Sequence, residues 1–253
     1  MIGFYKIADM IIRVESIYED VHEYCRSYGC EEATPDIDVV ITPDDLLYER
    51  KKSEAEAAIS PRAFQGGTDG MLEELAVYRK MSESLPILND TFLFHGSAIA
   101  ADGNGYLFTA SSGTGKSTHT ALWRKYLGEQ RAVMVNDDKP LIRVTDDGAF
   151  VYGTPWNGKR RLGSNIRVPL KGICILERGE KNEIKKVDAK DAFPMLLQQA
   201  YRPSDIKALE KTVKLLSKLT ENVTLFRLKC NMDIEAAEVA FTFMSEMAGE
   251  NRK

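Results

Sequence analysis

The feature that most limits how this chain can fold is the octapeptide Ala110-Ser111-Ser112-Gly113-Thr114-Gly115-Lys116-Ser117, set between an apolar run, Tyr106 to Thr109, and a helical pattern, Ser117 to Leu127, closed by Gly128. A strand, a glycine turn and a helix in that order leave the N–H groups of the turn and of the first helical turn without intrahelical acceptors, and the helix dipole adds positive potential. An anion is held there by backbone alone. The residues follow the phosphate-loop pattern G-x-x-x-x-G-K-[ST], with Ala110 in the first glycine position. On this pattern Ser112, Gly113, Thr114, Gly115, Lys116, Ser117 and Thr118 form the cradle. Lys116 reaches the β and γ phosphates, and the Ser117 hydroxyl is a ligand to Mg2+. The competing reading is a Gly/Ser turn that merely joins a strand to a helix.

A second signal is Val133-Met134-Val135-Asn136-Asp137-Asp138, an apolar strand ending in two carboxylates. The interval from Lys116 to Asp137 suits one helix and one turn, so in a parallel β-α-β unit both strands end on one edge of the sheet and bring the doublet to the loop. Mg2+ takes one or two carboxylates together with phosphate oxygens. Two adjacent like charges also raise one pKa, which favours a group that accepts a hydroxyl proton. Alone, the doublet would read equally well as a solvated turn before Lys139-Pro140.

With His95-Gly96 on the preceding apolar run, the segment from about Phe92 to Glu177 resembles the HPr kinase and phosphoenolpyruvate carboxykinase superfamily of phosphate-loop enzymes. The resemblance implies that Asp137 is the proton acceptor, that Asp138 helps hold the metal, and that His95 lies near the transferred phosphate. A lone histidine on a strand is otherwise an ordinary structural residue. Carboxykinases draw further basic residues and a second metal from a separate domain, so decarboxylation is not expected. The segment Gly153-Thr154-Pro155-Trp156-Asn157-Gly158-Lys159-Arg160-Arg161-Leu162-Gly163 is similar to that of short HPr-kinase-related proteins carrying Gly-Thr-Pro-Trp. Its three consecutive cations suit charge stabilisation on a transferring phosphoryl group, with Arg160 and Arg161 as the candidates. HPr kinases assemble into hexamers, which leaves a homo-oligomer open.

The chain has 253 residues, 43% apolar and 28% charged, enough for a sizeable core. Lys and Arg number 34 against 38 Asp and Glu, a net charge of −4, which gives no basic field for nucleic acid. Cys25, Cys30, Cys174 and Cys230 show no CxxC pair and read as reduced thiols. No apolar run approaches the roughly 18 to 20 residues of a membrane helix, and Asp9, Arg13 and Glu15 interrupt the start. These observations predict a cytoplasmic protein with no membrane partner. Neither a zinc site at His22-Glu23-Tyr24-Cys25 nor a Gly-x-Ser-x-Gly hydrolase elbow is present in the sequence.

The patterns predict a strand signal over 4–15, a helix over 18–28, a strand at Ile37 to Ile41, and a helix capped by Thr42 with Pro43 in its first turn. Lys51 to Gly70 reads as a connector. A helix from Thr68 to about Leu85 is expected to stop at Pro86. Phe92 to Ala100 and Tyr106 to Thr109 flank a hairpin turn at Asp102-Gly103-Asn104-Gly105. Further strands are expected at Ala132 to Val135, Leu141 to Val144, Phe150 to Tyr152, Ile173 to Leu176 and Val223 to Leu228. Helices are expected over 189–201, 204–219 and Ile234 to Met247, and Trp123 is expected to pack in the core. The fold expected is α/β: a small N-terminal α+β region, 1–87, then an HPr-kinase-like phosphate-loop domain, 88–253, with a mixed sheet and flanking helices. The function expected is ATP- and Mg2+-dependent transfer of the γ-phosphoryl group to a serine-like hydroxyl of a small molecule, peptide or protein. Because the loop reads phosphates and not the base, pyrophosphate stays open as donor. The alternatives are a non-catalytic nucleotide-binding regulator and an HPr-type protein serine kinase/phosphorylase.

Overall fold

The computed structural model describes residues 1–59, 67–158 and 160–250, with backbone alone at 248–250. The chain divides into two compact units, Met1–Leu85 and Pro86–Lys253. Among the described residues no helix is long and apolar enough to cross a membrane.

In the first unit β1 (Ile2–Ile7) and β2 (Met10–Glu15) form an antiparallel hairpin that turns on Ala8 and Asp9, both at positive φ. The expected single strand signal over 4–15 is therefore corrected. Neither turn residue is a glycine, so nothing in the sequence marks the reversal. β3 (Ile37–Val40) joins β2 in parallel, and the alternating residues Ile12, Val14, Ile37 and Val39 are buried on the period of a strand. Three α-helices are described in this region, α1 (Asp20–Cys25), α2 (Pro43–Ile59) and α3 (Asp69–Asn89), with a 3-10 helix at Arg26–Tyr28 after α1. At the start of α2 both the N–H and the hydroxyl of Thr42 donate to the Asp45 carboxylate, at 3.0 and 2.9 Å. Two expectations fail here. Residues 51–59 continue α2, because Lys, Glu and Ala form helix readily without the apolar stripe that the periodic reading required; residues 60–66 of the expected connector lie outside the described residues. Pro86 lies inside α3, which runs on to Asn89. A proline in the last turn removes one N–H donor but does not prevent that turn from closing.

In the second unit nine strands are described in one sheet: β4 (Thr91–Leu93), β5 (Ser97–Ala101), β6 (Asn104–Thr109), β7 (Ala132–Asn136), β8 (Leu141–Thr145), β9 (Gly148–Tyr152), β10 (Arg167–Arg178), β11 (Glu183–Lys186) and β12 (Thr224–Cys230). Their order is β4-β8-β9-β10-β6-β5-β7, with β12 also paired to β10 and β11 to β12. Parallel and antiparallel pairs mix: β6 and β12 run parallel to β10, while β9 runs against it. Strand periodicity sends Leu107 to one face, where it shares a core with Leu196 of α5 (Ala189–Gln199) and with Leu216 and Leu219 of α6 (Ile206–Asn222). Tyr106 and Phe108 face the other way, into a core with Trp123 of α4 (Lys116–Leu127) and with Ala237, Ala240 and Met244 of α7 (Ile234–Glu250). The fold is thus α/β, a mixed sheet between two helical layers. Trp123 is fully buried between Phe108 and Phe241 rings, at centroid distances of 5.2 and 5.4 Å.

Two details bear on the site, and the first differs from expectation. The apolar run from Phe92 to Ala100 is two strands, broken at 94–96, so His95 stands in the break and not on a strand. The break is pinned by backbone bonds from Phe94 N–H to Pro140 O and from Gly96 N–H to Asp138 O, both 3.0 Å. Secondly, β6 and β7 are not neighbours. β5 lies between them and pairs antiparallel with both, which leaves β6 and β7 pointing the same way.

Candidate functional site

Because β6 and β7 share a direction, their C-terminal ends reach one edge of the sheet. β6 delivers the glycine turn, β7 delivers Asp137 and Asp138, and the antiparallel β5 starts at that edge with Ser97. Ser97 Oγ donates to Asp137 Oδ1 at 3.2 Å and lies 2.9 Å from Thr120 Oγ1 of α4. The Ser117 hydroxyl also acts on the Asp137 carboxylate, lowering its pKa. Turn and doublet therefore meet at Asp137.

In the turn Gly113 and Gly115 have φ of 76° and 125°, a region that side chains disfavour. Gly115 is the N-cap of α4 and no side chain caps the helix, so its first-turn N–H groups face the turn without a capping oxygen. Lys116 is buried and its Nζ donates to Ala110 O at 3.2 Å. Burial lowers its pKa, and the Asp138 and Asp137 carboxylates oppose that shift. Ser112 is exposed on the turn, Thr114 N–H closes it onto Ser111 O at 3.2 Å, and Arg178 Nη2 donates to Gly113 O at 2.5 Å.

The doublet is held from below by Asn136, which is fully buried. Its Oδ1 accepts the N–H groups of Asp138 and Lys139, at 2.8 and 2.6 Å. Its Nδ2 donates to Thr154 Oγ1 at 2.9 Å and approaches the Thr154 and Trp156 carbonyls at 3.2 and 3.3 Å. One amide thereby ties the doublet to the segment from Gly153 onward. Burial raises the Asp137 pKa, the hydroxyls of Ser117 and Ser97 and the Arg160 charge oppose this, and Asp138 adds to it. Asp138 is half-buried, with Oδ2 accepting from Lys139 Nζ at 2.9 Å and Oδ1 3.4 Å from His95 Nε2. Burial and the Lys116 charge lower the His95 pKa, so the imidazole is neutral near pH 7 and its approach to Asp138 is no ion pair.

Of the cations expected nearby, Arg160 is exposed with Nη1 3.5 Å from Ser117 O, which puts it at the start of α4. Arg161 is exposed at positive φ and its N–H bonds Gly158 O at 2.8 Å. Lys159 lies outside the described residues. The backbone at Gly158 crosses close to the doublet, since a Cβ there would come 3.3 Å from Asp137 Oδ2. Among the described residues no three His, Cys, Asp or Glu side chains gather as a metal cluster. The oxygens on offer are the two aspartates and the Ser117 hydroxyl, a set that fits Mg2+ completed by phosphate oxygens and fits no all-protein cage. Thr118 stands on the other flank of the turn, in the wall of a cavity of about 450 Å3 with Gly113, Thr114 and Gly115.

Sequence reasoning missed Ser97, Thr120, Asn136, Thr154 and Arg178. Asn136 had a signal, a polar residue closing an apolar strand, whereas the others act through pairings distant in sequence.

No family model and no curated protein matches the chain. Among solved structures it is similar to the HPr(Ser) kinase/phosphatase from Coxiella burnetii, at 12% sequence identity and a TM-score of 0.38, over 63% of this chain and 94% of that one. A likeness of that size carries no argument about function.

Proposed function

We propose that the chain is an ATP- and Mg2+-dependent phosphotransferase that moves the γ-phosphoryl group to an alcohol hydroxyl. The observation that carries the reading is the meeting of a capless, glycine-shaped helix start with a buried carboxylate, Asp137, that takes a hydrogen bond from Ser97 and whose pKa the Ser117 hydroxyl lowers. The turn amides and Lys116 grip the triphosphate. Ser117 and Asp138 would hold Mg2+, which supplies charge neutralisation on the phosphates. Asp137 accepts the hydroxyl proton, and Arg160 offsets charge as the bond breaks, with neutral His95 as a donor near the phosphoryl group. In a loose transition state, orientation and charge stabilisation outweigh the base.

The effect of the Ser117 hydroxyl on Asp137 favours a second assignment, in which the two acids exchange roles: Asp137 joins Ser117 at the metal and Asp138, beside His95, takes the proton. The test of the function itself is ATP consumption with Mg2+, measured with and without a panel of hydroxyl compounds that includes free serine. Turnover that depends on an acceptor is the expected result. Tight ATP binding with no turnover on any hydroxyl compound would overturn the transferase reading in favour of a nucleotide-binding regulator.

A further inference from the structure

Asp138 carries a cation of its own. Lys139 Nζ donates to Asp138 Oδ2 at 2.9 Å, and the two side chains are only 27% and 28% exposed. The other oxygen, Oδ1, lies 3.4 Å from the neutral His95 ring, so both edges of the carboxylate have a neighbour. Asp137 differs, since its described hydrogen bond comes from a hydroxyl, Ser97 Oγ at 3.2 Å. Of the two acids, the one read as the metal ligand is the one that a lysine already neutralises.

Adjacent residues on an exposed stretch often pair without consequence. Here the backbone fixes the pairing. Asn136 Oδ1 accepts the N–H groups of both Asp138 and Lys139, Thr154 Oγ1 donates to Lys139 O at 2.8 Å, and Gly96 N–H donates to Asp138 O at 3.0 Å. Pro140 follows, with its φ held by the ring. The chain is therefore pinned on both sides of the pair, and the ammonium is tethered beside the carboxylate. Its charge reaches the imidazole opposite as well: burial, then Lys116, then Lys139 lower the His95 pKa, against the pull of Asp138.

Resting on the reading of Asp138 as a ligand to Mg2+, we propose that Lys139 is a placeholder cation: its ammonium neutralises Asp138 when no metal is present and gives up that carboxylate when Mg2+ is held there. Lysine and metal then compete for the same oxygens. In the metal-free site, Lys139 keeps Asp138 from repelling the triphosphate, so the nucleotide meets a compensated charge. In the metal-bound site, an ion pair has been given up, which raises the free Mg2+ required and favours arrival of the ion together with a nucleotide whose phosphates supply its other ligands.

The test is calorimetric titration of ATP into the full chain over a series of free Mg2+ concentrations, from chelator to saturation, in the unsubstituted protein, in Lys139→Met, which keeps an unbranched stem without the charge, and in Lys139→Arg, which keeps the charge. In Lys139→Met, ATP without metal is expected to bind at least about threefold more weakly, because Asp138 then faces the phosphates uncompensated. The free Mg2+ that gives half of the tightening of ATP is expected to fall by about threefold, the competition that an ion pair of this exposure exerts. Lys139→Arg is expected to stay within about twofold of the unsubstituted protein on both counts. A lysine that merely packed would not give this pair of opposite changes. A half-effect Mg2+ concentration that is unchanged or higher in Lys139→Met, or equal behaviour of the Met and Arg variants, would overturn the placeholder and leave the metal reading standing. Absence of any Mg2+ effect on ATP in the unsubstituted protein would overturn that reading and the placeholder with it.

Discussion

In the proposed transfer, Asp137 is the residue on which the chemistry turns. Replacing it with Asn keeps its size and its hydrogen bond from Ser97 but removes the proton acceptor, so kcat with the acceptor found by the transfer assay is expected to fall by about 10^2 to 10^4-fold, with the ATP dissociation constant little changed. An acceptor must be unprotonated to work. Since burial raises the Asp137 pKa, the rate should fall with decreasing pH at a point above the ordinary carboxylate range. The Ser97 hydroxyl stabilises the carboxylate and lowers that pKa, so Ser97→Ala should move the acid limb of the pH–rate profile to still higher pH. A limb that stays put, or moves down, would count against Asp137 as the acceptor. Gly113 to Ser117 and the doublet were legible in the sequence because their spacing is local and their chemistry specific. Ser97 was not legible, because nothing about a serine at the start of an apolar run announces a carboxylate that reaches it across the sheet.

At the scale of elements, the packing of α6 fixes one face of the second unit. Leu216 is fully buried and shares a core with Leu107 of β6, whereas Val213 on the same helix is 36% exposed. Leu216→Ala should destabilise the protein by about 2 to 5 kcal/mol through lost burial and a cavity. Val213→Ala should change stability by less than about 1 kcal/mol. Denaturant unfolding of the two variants tests this, and equal effects would mean that α6 does not pack as described. Asn136 gives the corresponding test for the site's support. Asn136→Ala removes the acceptor of the Asp138 and Lys139 N–H groups, at about 1 to 3 kcal/mol for each group left unsatisfied, while the Thr154 hydroxyl keeps its bond to Lys139 O. Stability and transfer should therefore fall together. Elements with an apolar stripe or a glycine turn, such as α6 and the β5–β6 hairpin, could be read from sequence. The second half of α2 could not, since its Lys, Glu and Ala offer no stripe, and the Ala8-Asp9 reversal and the helical Pro86 each defy the residue preferences that mark such places.

At the scale of the whole molecule, the sequence predicted a shared sheet edge for the turn and the doublet as the ends of a parallel β-α-β unit, and the two strands do run the same way. β5 intervenes between β6 and β7, a long-range pairing that no local pattern encodes, and the intervening strand brings Ser97 with it. In the proposed function, turn and doublet act as one donor site, with metal and nucleotide bound together. The most direct test is ATP affinity with Mg2+ and with a chelator, in the unsubstituted protein and in Asp138→Asn and Asp137→Asn. Mg2+ should tighten ATP binding in the unsubstituted protein and in Asp137→Asn, and should lose that effect in Asp138→Asn. Loss of the effect in Asp137→Asn alone would exchange the two acids' roles. An Mg2+ effect untouched by either substitution would contradict the single-site account.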